Sequence, residues 1–409
     1  MLNPVWFIVH DPTVGDPVLL HTEVNMKRRP DGFFSKCNKA LKCLFSRQVS
    51  IQCDAIPYVF DNVPMGKILN WLRVEASLLV KPERPWGWPT HLQIEPTNTC
   101  NLRCTLCPVS GEMKRRKGHM DVSLFKRLID EVGPYVFLIL LWDWGEPFMN
   151  PHIYEMISYA GQKGIKLASS TNGHVFADPE HAEKVIRSGL DTLIFAVDGI
   201  SQETYEKYRR GGKLDAALEG VRTVIALRDK LGSRTPLVNF RFIVMRHNEH
   251  EIPHLKEMAK SLGVDALTLR TLNTLWNNTY GDKKNDIQKV NNELLPLNHR
   301  YQRFYSDHGR DIPLRASKNT CKNLWNAPSI HWDGKVCPCS NDYNDRFVLG
   351  DLKEATFKEV WLGRAYRQMR RRLRWNDESD RFCGECRYAF KGRSYIDETI
   401  AEVYFFPRK

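Results

Sequence analysis

From residue 89 to 272 the apolar positions follow two alternating rhythms. Runs rich in Ile, Leu and Val at 91–95, 136–142, 165–171, 192–198, 238–244 and 266–272 read as six buried strands. Between them apolar residues recur at the spacing of one helix face: Ile153, Met156, Ile157 and Ala160, then Ala182, Val185 and Ile186, then Leu214, Ala217, Leu218 and Val221. Strands rich in Ile, Leu and Val, followed by amphipathic helices, predict parallel pairing with right-handed crossovers. Six such units make an α/β fold, a partial (β/α)6 TIM-like barrel open on one side. Chemistry in such barrels gathers where strands end and loops begin.

Outside 89–272 the rhythm weakens. Residues 1–88 form an N-terminal extension with strand-like runs at 5–10 and 17–21 and a basic helical stretch around 34–44, and no function is readable from them. Ile68, Leu69, Trp71, Leu72 and Leu79, beside Trp86 and Trp88, make 66–89 amphipathic. This predicts a helix capping the barrel, a place on a membrane surface being the other reading. Residues 273–320, with Asn277, Asn278, Asn285 and Asn291, read as a polar connector, and 321–409 as a small C-terminal domain.

At 409 residues, 42% hydrophobic and 26% charged, the chain is long enough for a large core and more than one domain. The start lacks a basic secretory leader, and no apolar run reaches the roughly 18 residues that span a bilayer. The expected location is the cytoplasm. The formal net charge of +12 raises the question of an anionic partner. Much of it is local: Arg364, Arg367, Arg370, Arg371, Arg372 and Arg374 share a predicted helix with Tyr366, Met369 and Leu373. The expectation is a solvated helix face. Peripheral membrane contact stays open, and nucleic acid is not expected as a partner. A non-catalytic basic metal protein on nucleic acid or an acidic membrane is the remote alternative, with steep salt dependence as its signature.

Eleven cysteines in 409 residues are too sparse for a disulfide scaffold. Their bunching points to metal sites in a reducing compartment. Cys37, Cys43 and Cys53 lack paired spacing and read as incidental thiols. Cys100, Cys104 and Cys107 follow the first predicted strand at offsets of four and three. Three thiolates can hold one corner of a cubic 4Fe-4S cluster, which wants four ligands, so one iron is left open to an outside molecule. A structural zinc knuckle is the plainer reading of the triplet alone. The spacing and its strand-then-loop setting resemble the radical S-adenosylmethionine superfamily, in which the open iron chelates the amino and carboxylate groups of S-adenosylmethionine.

Later strand ends carry the resemblance further. Trp144-Gly145-Glu146-Pro147 resembles the Gly-Gly-Glu-Pro motif, implying that the Gly145 backbone and the Glu146 carboxylate receive the ammonium of the nucleotide. Trp144 replaces the usual first glycine, which leaves the local backbone shape open. Ser170-Thr171-Asn172-Gly173 is similar to the segment that lies along the ribose in relatives. Asp198-Gly199 and Lys207-Tyr208-Arg209-Arg210 look like the pattern that supplies an arginine to the nucleotide's carboxylate. Arg209 is the first choice and Arg210 the second. Ala196 stands where many relatives have serine, and Leu106 where an aromatic is frequent.

Cys321, Cys339 and the pair Cys383 and Cys386 resemble the ligands of an auxiliary cluster in a shortened SPASM domain, the twitch form, because no cysteine follows Cys386. Cys337 is the spare, although exchange with Cys339 is open, and four cysteines could equally hold zinc. The resemblance implies two 4Fe-4S clusters, S-adenosylmethionine, a flavodoxin- or ferredoxin-type electron donor, and a small-molecule substrate of anionic or sugar-like character. A fully ligated second cluster suits electron acceptance, so the expected reaction is oxidation of an alcohol carbon of a sugar, cyclitol or similar metabolite. Alternatives are an epimerase with Cys337 as hydrogen donor, and a peptide-modifying maturase.

Overall fold

The structure is a computed structural model that describes residues 43–272, 293–302, 321–375, 382–383 and 400–408. It opens with a hairpin, β1 (Val49–Cys53) and β2 (Ile56–Phe60), paired from Val49↔Phe60 to Cys53↔Ile56. At its tip Asp54 and Ala55 both take positive φ, 55° and 61°. That is the two-residue turn whose twist suits adjoining strands. Helix α1 (Met65–Val80) follows.

The barrel strands are β3 (His91–Ile94), β4 (Leu138–Leu140), β5 (Lys166–Thr171), β6 (Thr192–Ala196), β7 (Leu237–Val244) and β8 (Ala266–Thr271). All six pair in parallel and in sequence order, as the apolar runs predict. Helices α2 (Val122–Val132), α3 (Ile153–Gln162), α4 (Pro179–Arg187), α5 (Gln202–Tyr208), α6 (Leu214–Lys230) and α7 (Ile252–Leu262) connect them. Asp121 caps α2 by accepting the amides of Ser123 and Leu124, and Ser201 with Thr204 forms a capping box on α5.

Alternation sorts each strand into two faces. Leu92, Ile94, Ile139, Leu141, Leu193, Phe195, Phe240 and Phe242 join the helices in one core. Leu138, Leu140, Ala168 and Ala266 face the other way and pack on Val49, Ile56, Tyr58 and Phe60 of the hairpin. The hairpin therefore plugs the barrel. Tyr58 donates its hydroxyl hydrogen to Thr192 at the first residue of β6 (3.0 Å), while Asp54 at the tip pairs with Arg241 of β7 and, at 3.6 Å, with Arg270 near the end of β8. This plug was not anticipated: the runs expected at 5–10 and 17–21 lie outside the described residues, as does nearly all of the 34–44 stretch.

The auxiliary region continues the same sheet. β9 (Ser329–Ile330) lies parallel to β3, and β10 (Lys335–Cys337) and β11 (Gly350–Asp351) extend it antiparallel. At the opposite edge β12 (Ile400–Phe405) pairs antiparallel with β8. The final strand of the stretch assigned to the C-terminal domain thus belongs to the barrel's sheet.

Helix α1 caps the barrel as expected. Ile68 joins the hairpin's core, and Asn70 exchanges hydrogen bonds with the Trp88 backbone, accepting at 2.8 Å and donating at 3.1 Å. Helices α8 (Asn323–Asn326), α9 (Phe357–Trp361) and α10 (Arg364–Arg374) complete the auxiliary side. On α10, Arg371, Arg372 and Arg374 are exposed as predicted, but Arg370 is fully buried. It stacks 4.2 Å from the Trp361 ring and 4.4 Å from Tyr366, and donates to the carbonyls of Leu324 and Trp361 at 2.8 Å. Among the described residues no helix is long and apolar enough to cross a membrane.

Candidate active site at the carboxyl end of the barrel

The loop after β3 carries Cys100, Cys104 and Cys107. Cys104 is buried and the other two half-buried. Burial pushes both Cys100 and Cys107 up to about 12, helped by the Glu146 carboxylate at Cys100 and by the neighbouring Cys104 sulfur at Cys107. A metal centre bound there must displace their protons. The loop is fixed by the segment after α5: the amides of Arg103 and Thr105 donate to the carbonyls of Arg210 and Tyr208, each at 3.0 Å. That contact brings Arg209 beside the thiols, with Nη1 3.8 Å from the Cys104 sulfur.

Arg209 is oriented by Asp198, which is fully buried at the end of β6. Its Oδ2 accepts from Arg209 Nε at 2.6 Å and its Oδ1 from the Ile243 amide at 2.7 Å. Arg210 is exposed. Of the two arginines singled out in the sequence, only Arg209 faces the cysteine loop.

The segment after β4 crosses directly over the base of that loop. Gly145 takes φ +89°, and a Cβ there would lie 2.5 Å from the Thr97 carbonyl and 2.8 Å from that of Thr99. Only glycine fits. Trp144 has no positive φ, so the missing first glycine of the motif costs the backbone nothing here. The Glu146 amide donates to the Thr99 carbonyl at 2.8 Å. The Glu146 carboxylate is buried, accepting from the amides of Asn172 at 2.7 Å and Phe148 at 3.4 Å. Desolvation pushes its carboxyl up to about 7 against those hydrogen bonds and the more distant Arg209. A buried carboxyl of this kind is suited to a cationic visitor.

The end of β5 closes the third side. Ser170 is half-buried, Thr171 and Asn172 are buried, and Asn172 Nδ2 donates to Asn101 Oδ1 of the cysteine loop at 2.7 Å. His174 was missed in the sequence. Its Nδ1 lies 2.9 Å from Asn172 Oδ1, and its Nε2 accepts from the Lys213 amide at 2.9 Å, which clamps the segment between α6 and the loop. A histidine two positions beyond Asn172 carries no periodic signal that could have revealed this.

On the auxiliary side Cys321 and Cys339 are half-buried and Cys383 is buried, while Cys386 lies outside the described residues. Cys337 is fully enclosed. Its sulfur is 3.6 Å from His331 Nδ1 and 3.9 Å from Asp345 Oδ1, and His331 and Asp345 are themselves 2.5 Å apart. Register puts Cys337 opposite Ser329, and Ser329 beside Gln93, on the face turned away from the helices. On that face Ser329 donates to Asp143 at 3.0 Å, and desolvation together with Glu95 pushes Asp143 up to about 7. Glu95 is paired bidentately with Arg115 at 2.9 and 2.5 Å. None of these polar partners was singled out beforehand: Ser329 meets Asp143 across 186 positions, and the shorter-range pairs fall in loops with no periodic signal.

Two families match. The radical SAM superfamily matches residues 94–259, and an iron-sulfur cluster-binding domain, SPASM, matches 321–387. A tungsten-containing aldehyde ferredoxin oxidoreductase cofactor-modifying protein from Pyrococcus furiosus is 25% identical over 302 residues, 68% of this chain and 82% of that protein. A PqqA peptide cyclase from Gluconobacter oxydans is 23% identical over 317 residues, 72% of this chain and 82% of the cyclase. The crystal structure of Streptococcus suis SuiB bound to precursor peptide SuiA shares the fold at TM-score 0.55 and 14% identity, covering 89% of this chain and 84% of that one.

Proposed function

Because the chain belongs to the radical S-adenosylmethionine superfamily and carries an iron-sulfur cluster-binding domain behind its barrel, we propose that it is a maturase that oxidatively modifies a peptide. The observation that carries the catalytic part is the convergence of three thiols, one oriented arginine and one buried carboxyl on a single loop. Cys100, Cys104 and Cys107 would hold the first 4Fe-4S cluster, and both oxygens of the nearby Glu146 are turned toward amides. That arrangement fits a cluster with one iron open. Glu146 and the Gly145 carbonyl would receive the ammonium of S-adenosylmethionine, Arg209 its carboxylate, and Ser170, Thr171 and Asn172 its ribose side. When bound, the cluster and S-adenosylmethionine supply a 5'-deoxyadenosyl radical able to take hydrogen from an unactivated C–H bond.

Cys321, Cys339, Cys383 and Cys386 would ligate the auxiliary cluster, which leaves Cys337 to its contacts with His331 and Asp345. Complete burial of Cys337 gives it no path to a substrate, and so supports oxidation over the epimerase reading. The peptide reading is supported by similarity to the peptide cyclase across most of both chains. Oxidation of a sugar or cyclitol is the second reading. It finds no support in those relatives, and nothing in the site geometry selects a sugar. A flavodoxin or ferredoxin is the electron donor we assign.

Anaerobically reconstituted and reduced protein should release 5'-deoxyadenosine from S-adenosylmethionine, and a Cys100→Ala variant should not. Deuterated candidate peptides should then pass label into 5'-deoxyadenosine. Label arriving only from deuterated sugars or cyclitols would replace the peptide reading with the second one.

A further inference from the structure

Trp144 departs from its motif, and the structure gives the departure a purpose. Its indole N–H donates to the Ser340 carbonyl at 2.9 Å, one residue after Cys339, and its ring meets Tyr343 edge-on at 5.8 Å. A glycine at 144 could do neither. The same auxiliary segment grips the chain just beyond the cysteine loop. Tyr343 donates its hydroxyl hydrogen to Glu112 at 3.0 Å, the Lys114 amide donates to Asn344 at 2.7 Å, and Arg115 Nε donates to the Tyr343 carbonyl at 2.7 Å. Tyr343 is buried, and Arg115 is locked onto Glu95 at the end of β3. Residues 340–344 therefore touch the polypeptide on both sides of the first site: the stretch after Cys107, and the residue before Gly145.

We infer that Trp144 is a positioning residue that couples the two cluster sites, so that occupancy of the auxiliary site by its cluster tightens S-adenosylmethionine binding at the first. The inference rests on the assignment of Gly145 and Glu146 to the nucleotide and of Cys339 and Cys383 to the auxiliary cluster. A cluster held by Cys339 fixes the backbone of Ser340. The indole carries that restraint to the residue before Gly145, and so to the place where Gly145 crosses the Thr97 and Thr99 carbonyls. Coupling between sites is reciprocal and is measured as a ratio of affinities.

The test is a double-mutant cycle on anaerobically reconstituted full-length protein, read as S-adenosylmethionine affinity by equilibrium dialysis. In the wild-type background, Cys383→Ala, with loss of the auxiliary cluster read from iron content, should weaken binding about fivefold or more, the usual lower bound of allosteric coupling. In a Trp144→Gly background the same change should have no further effect. Trp144→Phe keeps the ring and loses only the N–H, so it should reduce the ratio while iron content holds, and it carries the test alone if the glycine variant does not fold. A ratio equal in all backgrounds, or already near one in the wild type, overturns the inference. Failure of the wild type to bind S-adenosylmethionine at all would instead overturn the assignment beneath it.

Discussion

Glu146→Gln should make the cluster-free protein more stable at alkaline pH while weakening S-adenosylmethionine binding. Glu146 is buried, and its carboxyl moves from 4.5 to about 7 on folding, chiefly through desolvation. A carboxyl raised in this way contributes its full stability below its unfolded value and loses it as pH rises through the folded one. At about 1.36 kcal/mol per pH step, ionised Glu146 costs the fold about 3 kcal/mol above pH 7 and little near pH 5. Glutamine keeps most of the shape and never ionises. Its single oxygen can accept from only one of the Asn172 and Phe148 amides while its NH2 faces the other, the weaker Phe148 contact, an offset of about 1 to 2 kcal/mol that does not vary with pH. Urea unfolding followed by tryptophan fluorescence should therefore show the stability difference, variant minus wild type, rising by about 2 to 3 kcal/mol between pH 5 and pH 8. Dialysis should show S-adenosylmethionine affinity falling about tenfold or more, as expected for losing a charged hydrogen bond. A difference that stays flat with pH, or falls, would refute the reasoning that an uncompensated buried carboxyl waits there for a cation.

Three further outcomes are expected. Gly145→Ala should abolish S-adenosylmethionine binding, because its Cβ would lie 2.5 Å from the Thr97 carbonyl at φ +89°; binding retained within twofold would show that the crossing of the two loops is misplaced. Asp54→Asn should destabilise by about 3 kcal/mol in chemical denaturation, since it leaves Arg241 and Arg270 uncompensated in the barrel; a loss under about 1 kcal/mol would argue that the hairpin is not seated there. Burial lowers Lys67 to about 8, so the charged form penalises the fold below that value and the penalty disappears toward the unfolded value of 10.5. Lys67→Met should accordingly stabilise by about 2 kcal/mol at pH 7, with the gain shrinking in unfolding curves taken near pH 10.

The barrel was legible because its strands are short runs rich in Ile, Leu and Val set apart by amphipathic helices, one in each gap except for α5 and α6 between β6 and β7. The cysteine loop, Gly145, Glu146 and Asn172 were legible because their spacing is local and each follows a strand. The hairpin escaped notice for the opposite reason. Val49, Ile51 and Cys53 alternate for only one short strand, and the Asp54-Ala55 turn lacks the glycine that marks such turns. Arg370 escaped because a charge run shows nothing of which member turns inward, and it took Trp361 and Tyr366 from the same region to accommodate it. The contacts of Trp144 with Ser340 and of Arg115 with Tyr343 join residues 196 and 228 positions apart. No local pattern encodes such pairs. They arise only when β9 is placed beside β3.

On the proposed reading, the loop of Cys100, Cys104 and Cys107 leaves one iron open for S-adenosylmethionine. Electron-nuclear double resonance on the reduced, reconstituted protein with nitrogen-labelled S-adenosylmethionine tests it most directly. Hyperfine coupling between the label and the cluster should be present in the wild type and in Cys383→Ala but lost in Cys104→Ala. A well-formed reduced cluster in the wild type that shows no coupling to the bound nucleotide would contradict it.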